Sequence, residues 1–400
     1  MQHGWQALFA FDMAQGSAPG SPSDVVKSRH VIAWSPAIFA NLIFRQLFDV
    51  ASSTYTYLLG DPRTRQAVII DTVFEQHLRD CALLGELDLK LVCAVDTHCH
   101  ADHVTGAWMM QRATGCRIGI SRCYQPPIQG VDLPLDHGGR IPFGGRHLEV
   151  RATPGHTDGC MTLVLEDRSM AFTGDALLIR GAGRCDFQRG SAHTLYRSIT
   201  QQIFSLPDAC LLFPGHDYSG RTVSSVAEEK VHNPRIGGGA DERDFVGFME
   251  NLNLPHPKQI DVALPANLRS GRPADGKVPR PADWGPVRQT YAGLLEIEPE
   301  WVAEHLQQVH VLDVRQAHEM QESLGRIAGS QLIPLNELKA RLSGIPRDKP
   351  VVAVCHAGMR SGQATVILRG AGLERTANLR GGMLLWSQLG LPTQRQGIGA

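Results

Sequence analysis

The sequence lacks both a long hydrophobic run and an excess of one charge. No run of apolar residues approaches the ~18 that a helix needs to cross a bilayer, so we expect no membrane-spanning segment. Thirty-nine basic residues stand against 40 acidic ones, which gives a formal net charge of -1. A chain balanced in this way has no overall field to attract nucleic acid or an anionic membrane. We therefore expect neither as a partner.

The sequence also lacks the cysteine usage of a disulfide scaffold. Nine cysteines are an odd number, and they are scattered along 400 residues. A small secreted protein stapled by disulfides has an even and much denser set. This pattern is typical of a reducing compartment, and we predict a cytoplasmic protein.

What the chain does contain is the composition of a globular protein with more than one domain. Hydrophobic residues make up 42% and charged residues 20% of the chain, which excludes disorder over most of its length. A length of 400 residues exceeds one ordinary domain and predicts two. The 17 histidines are enough to prompt a search for metal ligands.

Short apolar runs alternate with helical patterns, which predicts a layered α/β architecture. In the first part we predict strands at 56–59, 67–70, 91–95, 147–152, 169–173 and 209–213, with helices at 74–87, 104–114, 193–205 and 223–232. In the second part we predict strands at 309–313 and 351–354, with helices at 299–307, 335–342 and 361–370.

A stretch rich in proline and glycine at 266–286 separates the two patterns and should hold neither a helix nor a central strand. We therefore predict four segments: an N-terminal extension with little order at 1–41, a first domain at 42–270, a linker at 271–286 and a second domain at 287–395.

Histidine and carboxylate side chains collect where predicted strands of the first domain end. Imidazole and carboxylate are the usual ligands of borderline divalent metals, and strand ends place them on one rim. Seven candidates share this position: His98, His100, Asp102, His103, His156, Asp175 and His216. An isolated His-x-His is more often a pair of surface histidines, but this ordered set predicts a metal site.

The order of these residues resembles the metallo-β-lactamase family over about residues 43–270. His-x-His-x-Asp-His, followed by His, Asp and His in separate later motifs, is typical of that αββα sandwich fold. Most members bind two metals and activate water. The resemblance therefore leaves open a dinuclear zinc thioester hydrolase similar to glyoxalase II.

Finer motifs resemble the persulfide dioxygenase branch of that family. They are Asp-Thr-His-Cys-His-Ala-Asp-His at 96–103, Gly-Arg-Cys-Asp-Phe-Gln at 183–188, and Asn-Leu-Asn-Leu-Pro at 251–255 with Pro-Ala-Asn at 265–267. That branch holds one Fe(II) per chain, which implies His98, His156 and Asp175 as ligands here. Two histidines and one carboxylate leave positions open for O2 and a substrate sulfur. The residues implied to surround the iron without holding it are His100, Asp102, His103 and His216.

The same resemblance implies two substrate-binding residues. Arg184 matches an arginine that shapes the glutathione persulfide site, and a guanidinium can grip a peptide carboxylate through two hydrogen bonds. Tyr218 matches a tyrosine near the iron. The alternatives are a surface ion pair for Arg184 and core packing for Tyr218.

Cys355 follows the predicted strand 351–354 and precedes a helix. A thiol there faces backbone N–H groups and the positive end of the helix, and both lower its pKa. The same amides, with Arg360, can hold an oxyanion such as thiosulfate. The alternative is a buried structural cysteine. With the stretches 312–315, 325–330 and 381–386, the loop 355–360 resembles a rhodanese domain, an α/β fold with a mostly parallel sheet.

Together the two resemblances imply a persulfide dioxygenase–rhodanese fusion. The first domain would oxidise glutathione persulfide with O2 and water to glutathione and sulfite. The second would move sulfane sulfur between thiosulfate and glutathione through a Cys355 persulfide. The expected partners are these small molecules, with glutathione as co-substrate, and the sequence is compatible with a homo-oligomer. The rivals are a zinc hydrolase carrying a rhodanese and a fusion whose rhodanese is an idle interaction module.

Overall fold

The structure is a computed structural model that describes residues 41–252, 254–255, 257–279 and 281–394. The predicted extension at 1–41 lies outside these residues except for Asn41, and so does position 395 at the end of the second predicted domain. Across the described part of the chain, no helix has both the length and the apolar character that crossing a membrane requires.

Twelve strands of the first half form two six-stranded sheets, each in chain order. The first sheet contains β1 (Ile43–Asp49), β2 (Thr54–Gly60), β3 (Gln66–Ile70), β4 (Lys90–Val95), β5 (Arg117–Ser121) and β6 (Leu133–Leu135). The second contains β7 (Arg140–Phe143), β8 (Arg146–Ala152), β9 (Met161–Leu165), β10 (Met170–Gly174), β11 (Leu211–Pro214) and β12 (Ser224–Ser225). The run β3 to β6 and the pair β10–β11 are parallel, and the other neighbours are antiparallel.

The two sheets pack face to face between two layers of helices. Val68 of the first sheet and Phe172 of the second belong to one buried cluster. The helices of this half are α1 (His77–Glu86), α2 (Ala107–Thr114), α3 (Ala192–Ser198), α4 (Val226–His232), α5 (Glu242–Glu250) and α6 (Ile260–Asn267). Residues of α1 and α2 are buried with the outer face of the first sheet, and residues of α3, α4 and α5 with that of the second. The predicted αββα sandwich is confirmed. With both sheet faces covered, strands such as β2 are buried along their whole length.

A third sheet forms the second half. Its strands are β13 (Arg288–Gln289), β14 (Leu295–Ile297), β15 (His310–Asp313), β16 (Gln331–Leu332), β17 (Val351–Val354) and β18 (Thr376–Leu379), and its helices are α7 (Pro299–Glu304), α8 (Leu335–Leu338), α9 (Met359–Gly370) and α10 (Gly382–Gln388). The order is β13-β14-β18-β17-β15-β16, and only the β13–β14 pair is antiparallel. Apolar clusters cover both faces. The predicted α/β fold with a mostly parallel sheet is confirmed.

Two helices begin later than the sequence pattern predicts. The helix predicted at 104–114 begins at Ala107, because the chain before it pairs with an earlier segment: Thr105 forms a β-bridge with Val73, and the oxygen of Val104 accepts from the Phe74 N–H at 2.8 Å. The helix predicted at 223–232 begins at Val226, because Ser225 first pairs with β11 and then caps the helix through its hydroxyl. Both differences arise from contacts with distant parts of the chain.

The predicted linker at 271–286 contains turns. The longer proline- and glycine-rich stretch at 266–286 begins inside a helix, which the sequence did not predict. Helix α6 continues to Asn267 with Pro265 inside it, so the prediction that no helix enters this stretch was wrong for its first two residues. The two halves meet beyond it, where the backbone N–H of Tyr291 donates to Glu86 Oε1 at 2.9 Å. A cleft of about 890 Å³ opens between α1 and the first strands of the third sheet. The four segment boundaries themselves stay a prediction.

Candidate metal centre and sulfur-transfer site

The predicted ligands lie where strands of both sheets end on one side of the sandwich. His98 follows β4, His156 follows β8 and Asp175 follows β10 directly. The turn before Asp175 needs a glycine, because Gly174 has a φ of +51° and a Cβ there would lie 2.5 Å from Thr97 Oγ1. The backbone therefore brings the ends of β4 and β10 into close contact.

His98, His156 and Asp175 form one cluster whose ligand atoms lie within 4.8 Å of one another. His156 Nδ1 lies 2.6 Å from the backbone oxygen of Arg184, and His98 Nδ1 lies 3.0 Å from Thr97 Oγ1. These contacts hold each ring by Nδ1 and leave Nε2 for a metal. His156 Nε2 is already 3.7 Å from Asp175 Oδ2. The geometry matches a site of two histidines and one carboxylate.

The protonation states of this cluster also suit a divalent metal. Burial lowers the pKa of both His98 and His156, so their imidazoles are neutral. Burial alone would raise the pKa of Asp175, but His216, which hydrogen-bonds to it at 2.7 Å, and the two other histidines outweigh burial and hold the pKa below its usual range. Neutral imidazoles and an ionised carboxylate are what metal binding requires. The donor set therefore fits a divalent metal ion.

The other four candidates form a second group beside the first. Its members, whose ligand atoms also lie within 4.8 Å of one another, are His100, Asp102, His103 and His216. Asp102 Oδ2 lies 2.9 Å from both His103 Nδ1 and His216 Nε2. In the described chain, His100 Nδ1 and His103 Nε2 are buried without a hydrogen-bond partner. These two nitrogens are the ones available to a second metal.

Thr54 and Asp71 hold the second group in place, and the sequence interpretation missed both. Thr54 Oγ1 lies 3.0 Å from His216 Nε2 and 3.2 Å from His103 Nδ1. Asp71 Oδ1 lies 3.2 Å from His100 Nε2. Asp71 follows β3 directly, so the strand-end pattern that identified the other carboxylates also applies to it. Nothing local in the sequence distinguishes Thr54.

Asn267 anchors the histidine-rich loop from the far end of the first half. Its Nδ2 donates to the backbone oxygens of His100 and His103, both at 2.9 Å, and its Oδ1 accepts from the Thr105 N–H. The side chain is buried, so these three hydrogen bonds are made away from solvent. The Pro-Ala-Asn motif is therefore a structural support for the site.

Arg184 lies beside the cluster, but its guanidinium already has partners. Nε and Nη2 each donate to Asp186 at 2.6 Å. The same side chain donates to the backbone oxygens of Leu254 at 2.9 Å and Pro255 at 2.5 Å. The ion pair considered from the sequence is present, although the Arg184 side chain is only 11% exposed. Arg184 thus connects Leu254 and Pro255, through its side chain, to His156, through its backbone oxygen.

Tyr218 lies on the surface next to the second group. The residue is 73% exposed, and its ring lies parallel to the His216 ring with a centroid separation of 6.1 Å. The alternative of core packing is therefore wrong. An exposed phenol at this position is accessible to a molecule that approaches the metal cluster.

Cys355 follows β17, and its sulfur faces hydrogen-bond donors of the next helix. Sγ accepts from the Gly358 N–H and from the Ser361 hydroxyl, both at 3.2 Å. Burial raises the pKa of Cys355, but the hydrogen bonds from Ser361 and from the Ala357 and Gly358 amides outweigh it, and the pKa falls below its ordinary value. The other eight cysteines, all free thiols, have raised pKa values. Among the nine cysteines, Cys355 is thus the one whose surroundings favour the thiolate form.

Arg360 lies in the same loop and is held by a carboxylate that the sequence interpretation missed. Its Nη1 and Nη2 donate to the two carboxylate oxygens of Glu319, each at 2.7 Å. Glu319 in turn accepts from the Gln316 backbone N–H at 2.8 Å. The predicted cation therefore lies in the first turn of α9, two residues after the Gly358 N–H that donates to Cys355 Sγ, as part of a forked ion pair.

Comparisons with known proteins agree with both folds. The metallo-beta-lactamase superfamily matches residues 50–216, and the rhodanese-like domain matches residues 298–389. The mitochondrial persulfide dioxygenases ETHE1 of Mus musculus and Homo sapiens are each 54% identical over 235 residues, which is 58% of this chain and 90% of each relative. The crystal structure of ETHE1 from Myxococcus xanthus has a TM-score of 0.55 at 51% identity and covers 57% of this chain and 99% of that chain.

Proposed function

This chain belongs to the ETHE1 persulfide dioxygenase family and carries a rhodanese-like domain, and from that membership we propose a bifunctional enzyme of sulfur metabolism. Its first activity is the oxidation of glutathione persulfide with O2 and water to glutathione and sulfite. Its second is the transfer of sulfane sulfur between thiosulfate and glutathione. The observation that carries the first activity is the cluster of His98, His156 and Asp175 in a chain 54% identical to persulfide dioxygenases.

The proposed cofactor is one Fe(II) per chain, with His98, His156 and Asp175 as its ligands. When bound, the iron supplies the oxygen chemistry and open positions at which O2 and a persulfide sulfur can meet. The chain's own contribution is orientation. The Arg184 carbonyl and the Thr97 hydroxyl fix the two imidazoles, and His216 holds one oxygen of Asp175 so that the other faces His156.

Arg184 and Tyr218 are the proposed substrate-binding residues. Tyr218 offers an exposed hydroxyl beside the cluster. Arg184 has most of its N–H groups on Asp186 and on the carbonyls of Leu254 and Pro255, so we assign it mainly to the shape of the binding surface. This shape, with a residual N–H and a positive charge, suits the two carboxylates of glutathione.

Oxygen uptake on glutathione persulfide tests the first activity. The wild-type protein should consume one O2 per persulfide and release sulfite. His98→Ala should consume none, since it removes a ligand. His193→Ala is the matched control. His193 is an exposed histidine that pairs with Glu242 and belongs to neither group of candidate metal ligands. Uptake equal in all three proteins, or absent from the wild type, would contradict the proposal.

Cys355 is the proposed sulfur carrier of the second activity. Its thiolate attacks the outer sulfur of thiosulfate, the sulfur–sulfur bond breaks, and sulfite leaves with the electron pair. A glutathione thiolate then takes the terminal sulfur of the Cys355 persulfide and regenerates the Cys355 thiolate. The amides and hydroxyl that lower the pKa of Cys355 favour the attacking form of the sulfur.

Sulfite release from thiosulfate in the presence of glutathione tests the second activity. The wild-type protein should release sulfite and Cys355→Ser should not, because a serine hydroxyl is not ionised near neutral pH. An inactive wild type would instead favour the rhodanese-like domain as an idle interaction module.

A dinuclear zinc thioester hydrolase is a second candidate, and one observation favours it. Within the described residues, His100 Nδ1 and His103 Nε2 are buried and unpartnered beside Asp102 and His216, as expected for ligands of a second metal. Metal analysis separates the candidates. About one iron per chain supports the dioxygenase, and about two zincs per chain with hydrolysis of a glutathione thioester supports the hydrolase.

A further inference from the structure

The guanidinium beside the sulfur-transfer cysteine is already occupied by a carboxylate. Arg360 donates from Nη1 and Nη2 to the two oxygens of Glu319, both at 2.7 Å. This is the forked geometry in which a guanidinium also binds an oxyanion. A dianion such as thiosulfate must therefore share Arg360 with Glu319 or take its place.

Glu319 is fixed and fully ionised in this position. Its Oε2 also accepts from the Gln316 backbone N–H at 2.8 Å, which caps the one-turn helix Ala317–Gln321. Its side chain is 14% exposed, whereas that of Arg360 is 36% exposed. The hydrogen bonds from Arg360 lower the pKa of Glu319 to about 2. The carboxylate is thus a permanent negative charge behind a cation that faces solvent.

Arg360 lies two residues after Gly358, whose backbone N–H donates to Cys355 Sγ at 3.2 Å. The thiolate of Cys355, after Glu319, contributes to raising the pKa of Arg360. In the absence of a donor, the positive charge of Arg360 therefore already interacts with two negative groups, the Cys355 thiolate and Glu319. A donor with two negative charges gains less from such a cation than from a free one, because like charges in close contact are repelled.

We propose that Glu319 is a positioning residue that sets the charge selectivity of the sulfur-transfer site: by holding Arg360 it disfavours dianionic sulfane donors such as thiosulfate relative to persulfides. This inference rests on the proposed sulfur transfer by Cys355. The chemistry of transfer is the same for both donors, since the thiolate attacks the outer sulfur and either sulfite or a thiolate leaves with the electron pair. The donors differ in where their charge lies: thiosulfate carries two negative charges on the reacting group itself, whereas the carboxylates of glutathione persulfide are remote from its reacting sulfur.

Glu319→Gln tests the proposal, because it keeps the size of the side chain and removes its charge. With cyanide as the sulfur acceptor and with oxygen excluded so that the first site cannot turn over, the KM for thiosulfate should fall about three- to tenfold, while kcat and the kinetics with glutathione persulfide change by less than about twofold. A purely structural role predicts a parallel change for both donors. Parallel changes, or no change for thiosulfate, would overturn the proposal.

Two further variants control for folding and for loss of charge. Glu319→Asp keeps the charge and should keep the wild-type ratio of the two donors even if the protein is less stable. Glu337→Gln removes the same kind of Glu–Arg ion pair at an exposed site, where Glu337 meets Arg341 at 3.0 Å, and should have no effect on either donor. An altered donor ratio in Glu337→Gln or Glu319→Asp would contradict a charge effect at Arg360.

A reactivity measurement tests the same charge without requiring turnover. Cys355 is alkylated with anionic iodoacetate and with neutral iodoacetamide, and the Cys355 peptide is quantified by mass spectrometry. The ratio of the iodoacetate rate to the iodoacetamide rate should rise about three- to tenfold in Glu319→Gln and stay constant in Glu319→Asp and Glu337→Gln. An unchanged ratio in Glu319→Gln would refute the role of Glu319. A failure of the proposed sulfur transfer would show separately, as a wild type that transfers sulfur to cyanide from neither donor.

Discussion

Hydrogen bonds to single nitrogen atoms decide which of the seven candidate ligands are ready for a metal. His98 and His156 each use Nδ1 in a contact and keep Nε2 for the cluster. His216 uses both ring nitrogens on carboxylates, Nδ1 on Asp175 and Nε2 on Asp102. We therefore expect His216 to orient Asp175 and not to bind the proposed iron.

The first prediction concerns the iron ligands. His98→Ala, His156→Ala and Asp175→Ala should each lose iron and oxygen uptake. His216→Ala should keep most of its iron, with an affinity lowered roughly tenfold, because it loses only the support of one ligand. Iron is measured per chain in the purified variants. If His216→Ala loses iron as completely as His98→Ala, the mononuclear assignment is wrong.

The second prediction concerns Arg184. Arg184→Ala should keep iron but raise the KM for glutathione persulfide roughly tenfold or more, because charge-assisted hydrogen bonds to Asp186 and to the 254–255 segment are lost. Arg184→Lys keeps the positive charge but loses the paired hydrogen bonds that Nε and Nη2 donate to Asp186. It should resemble the alanine variant if shape matters most and the wild type if charge does. Wild-type kinetics in Arg184→Ala would leave the residue without a role in binding.

Some residue-scale features could be predicted from the sequence and others could not. All seven candidate ligands lie in the two groups of possible metal ligands. They were predictable because the ends of neighbouring strands meet at one edge of a sheet, independently of side-chain conformation. Asp186 as the partner of Arg184 and Glu319 as the partner of Arg360 were not predicted. Those pairings depend on which way a long side chain turns, and Glu319 and Arg360 are brought together only by the packing of the sheet.

Loops held by distant hydrogen bonds shape the sites at the scale of elements. The histidine-rich loop after β4 is fixed by Asn267 at the end of α6. The loop after β17 is fixed at the start of α9, where Cys355 meets Gly358 and Ser361. Each site is therefore supported by several hydrogen bonds between a loop and the end of a helix.

The third prediction removes the first of these contacts. Asn267→Ala should destabilise the protein by roughly 2–3 kcal/mol, because it leaves buried backbone groups of His100, His103 and Thr105 without partners. Thermal unfolding should shift downward and iron content should fall. Asn336→Ala, at an exposed position, is the control and should change neither. An Asn267→Ala protein with wild-type unfolding and iron would show that α6 does not support the loop.

The fourth prediction concerns the pKa of Cys355 and the start of α9. Hydrogen bonds from Ser361 and two amides stabilise the thiolate, so the pKa of Cys355 lies below that of an ordinary thiol. Ser361→Ala removes one donor from the thiolate, and the pKa should rise. Alkylation of Cys355 followed against pH should therefore have a higher midpoint in the variant and be slower at pH 7. A midpoint that stays the same or moves down would exclude this role of Ser361.

Among the described residues, eight of the 18 strands and seven of the ten α-helices lie where the sequence predicts them, and the two late helix starts have a common cause. Apolar runs identified strands such as β2 and β17 because both faces of each sheet are covered, but β9 and β18 are equally buried and were not predicted. Helix starts at 104 and 223 were wrong because Thr105 forms a β-bridge with Val73 and because Ser225 joins a strand before it caps a helix. Local periodicity has no information about partners more than a dozen residues away.

At the scale of the whole molecule, the two halves of the described chain have separate cores and are in contact beside α1. The sandwich and the third sheet bury different apolar clusters. The contact between them includes the hydrogen bond from Tyr291 to Glu86 and the cleft beside α1. We therefore expect a change at Cys355 to leave the metal cluster intact, and we expect the two proposed activities to be linked by the glutathione persulfide they share.

Oxygen uptake by the wild type and by Cys355→Ser tests this account most directly, with two substrate mixtures. Given glutathione persulfide, both proteins should consume oxygen at similar rates, because oxidation needs only the first site. Given thiosulfate and glutathione, the wild type should consume oxygen, since its second site makes the persulfide that the first one oxidises, and Cys355→Ser should not. Uptake from thiosulfate by Cys355→Ser would contradict sulfur transfer through Cys355, and lost uptake with added persulfide would contradict two independent sites.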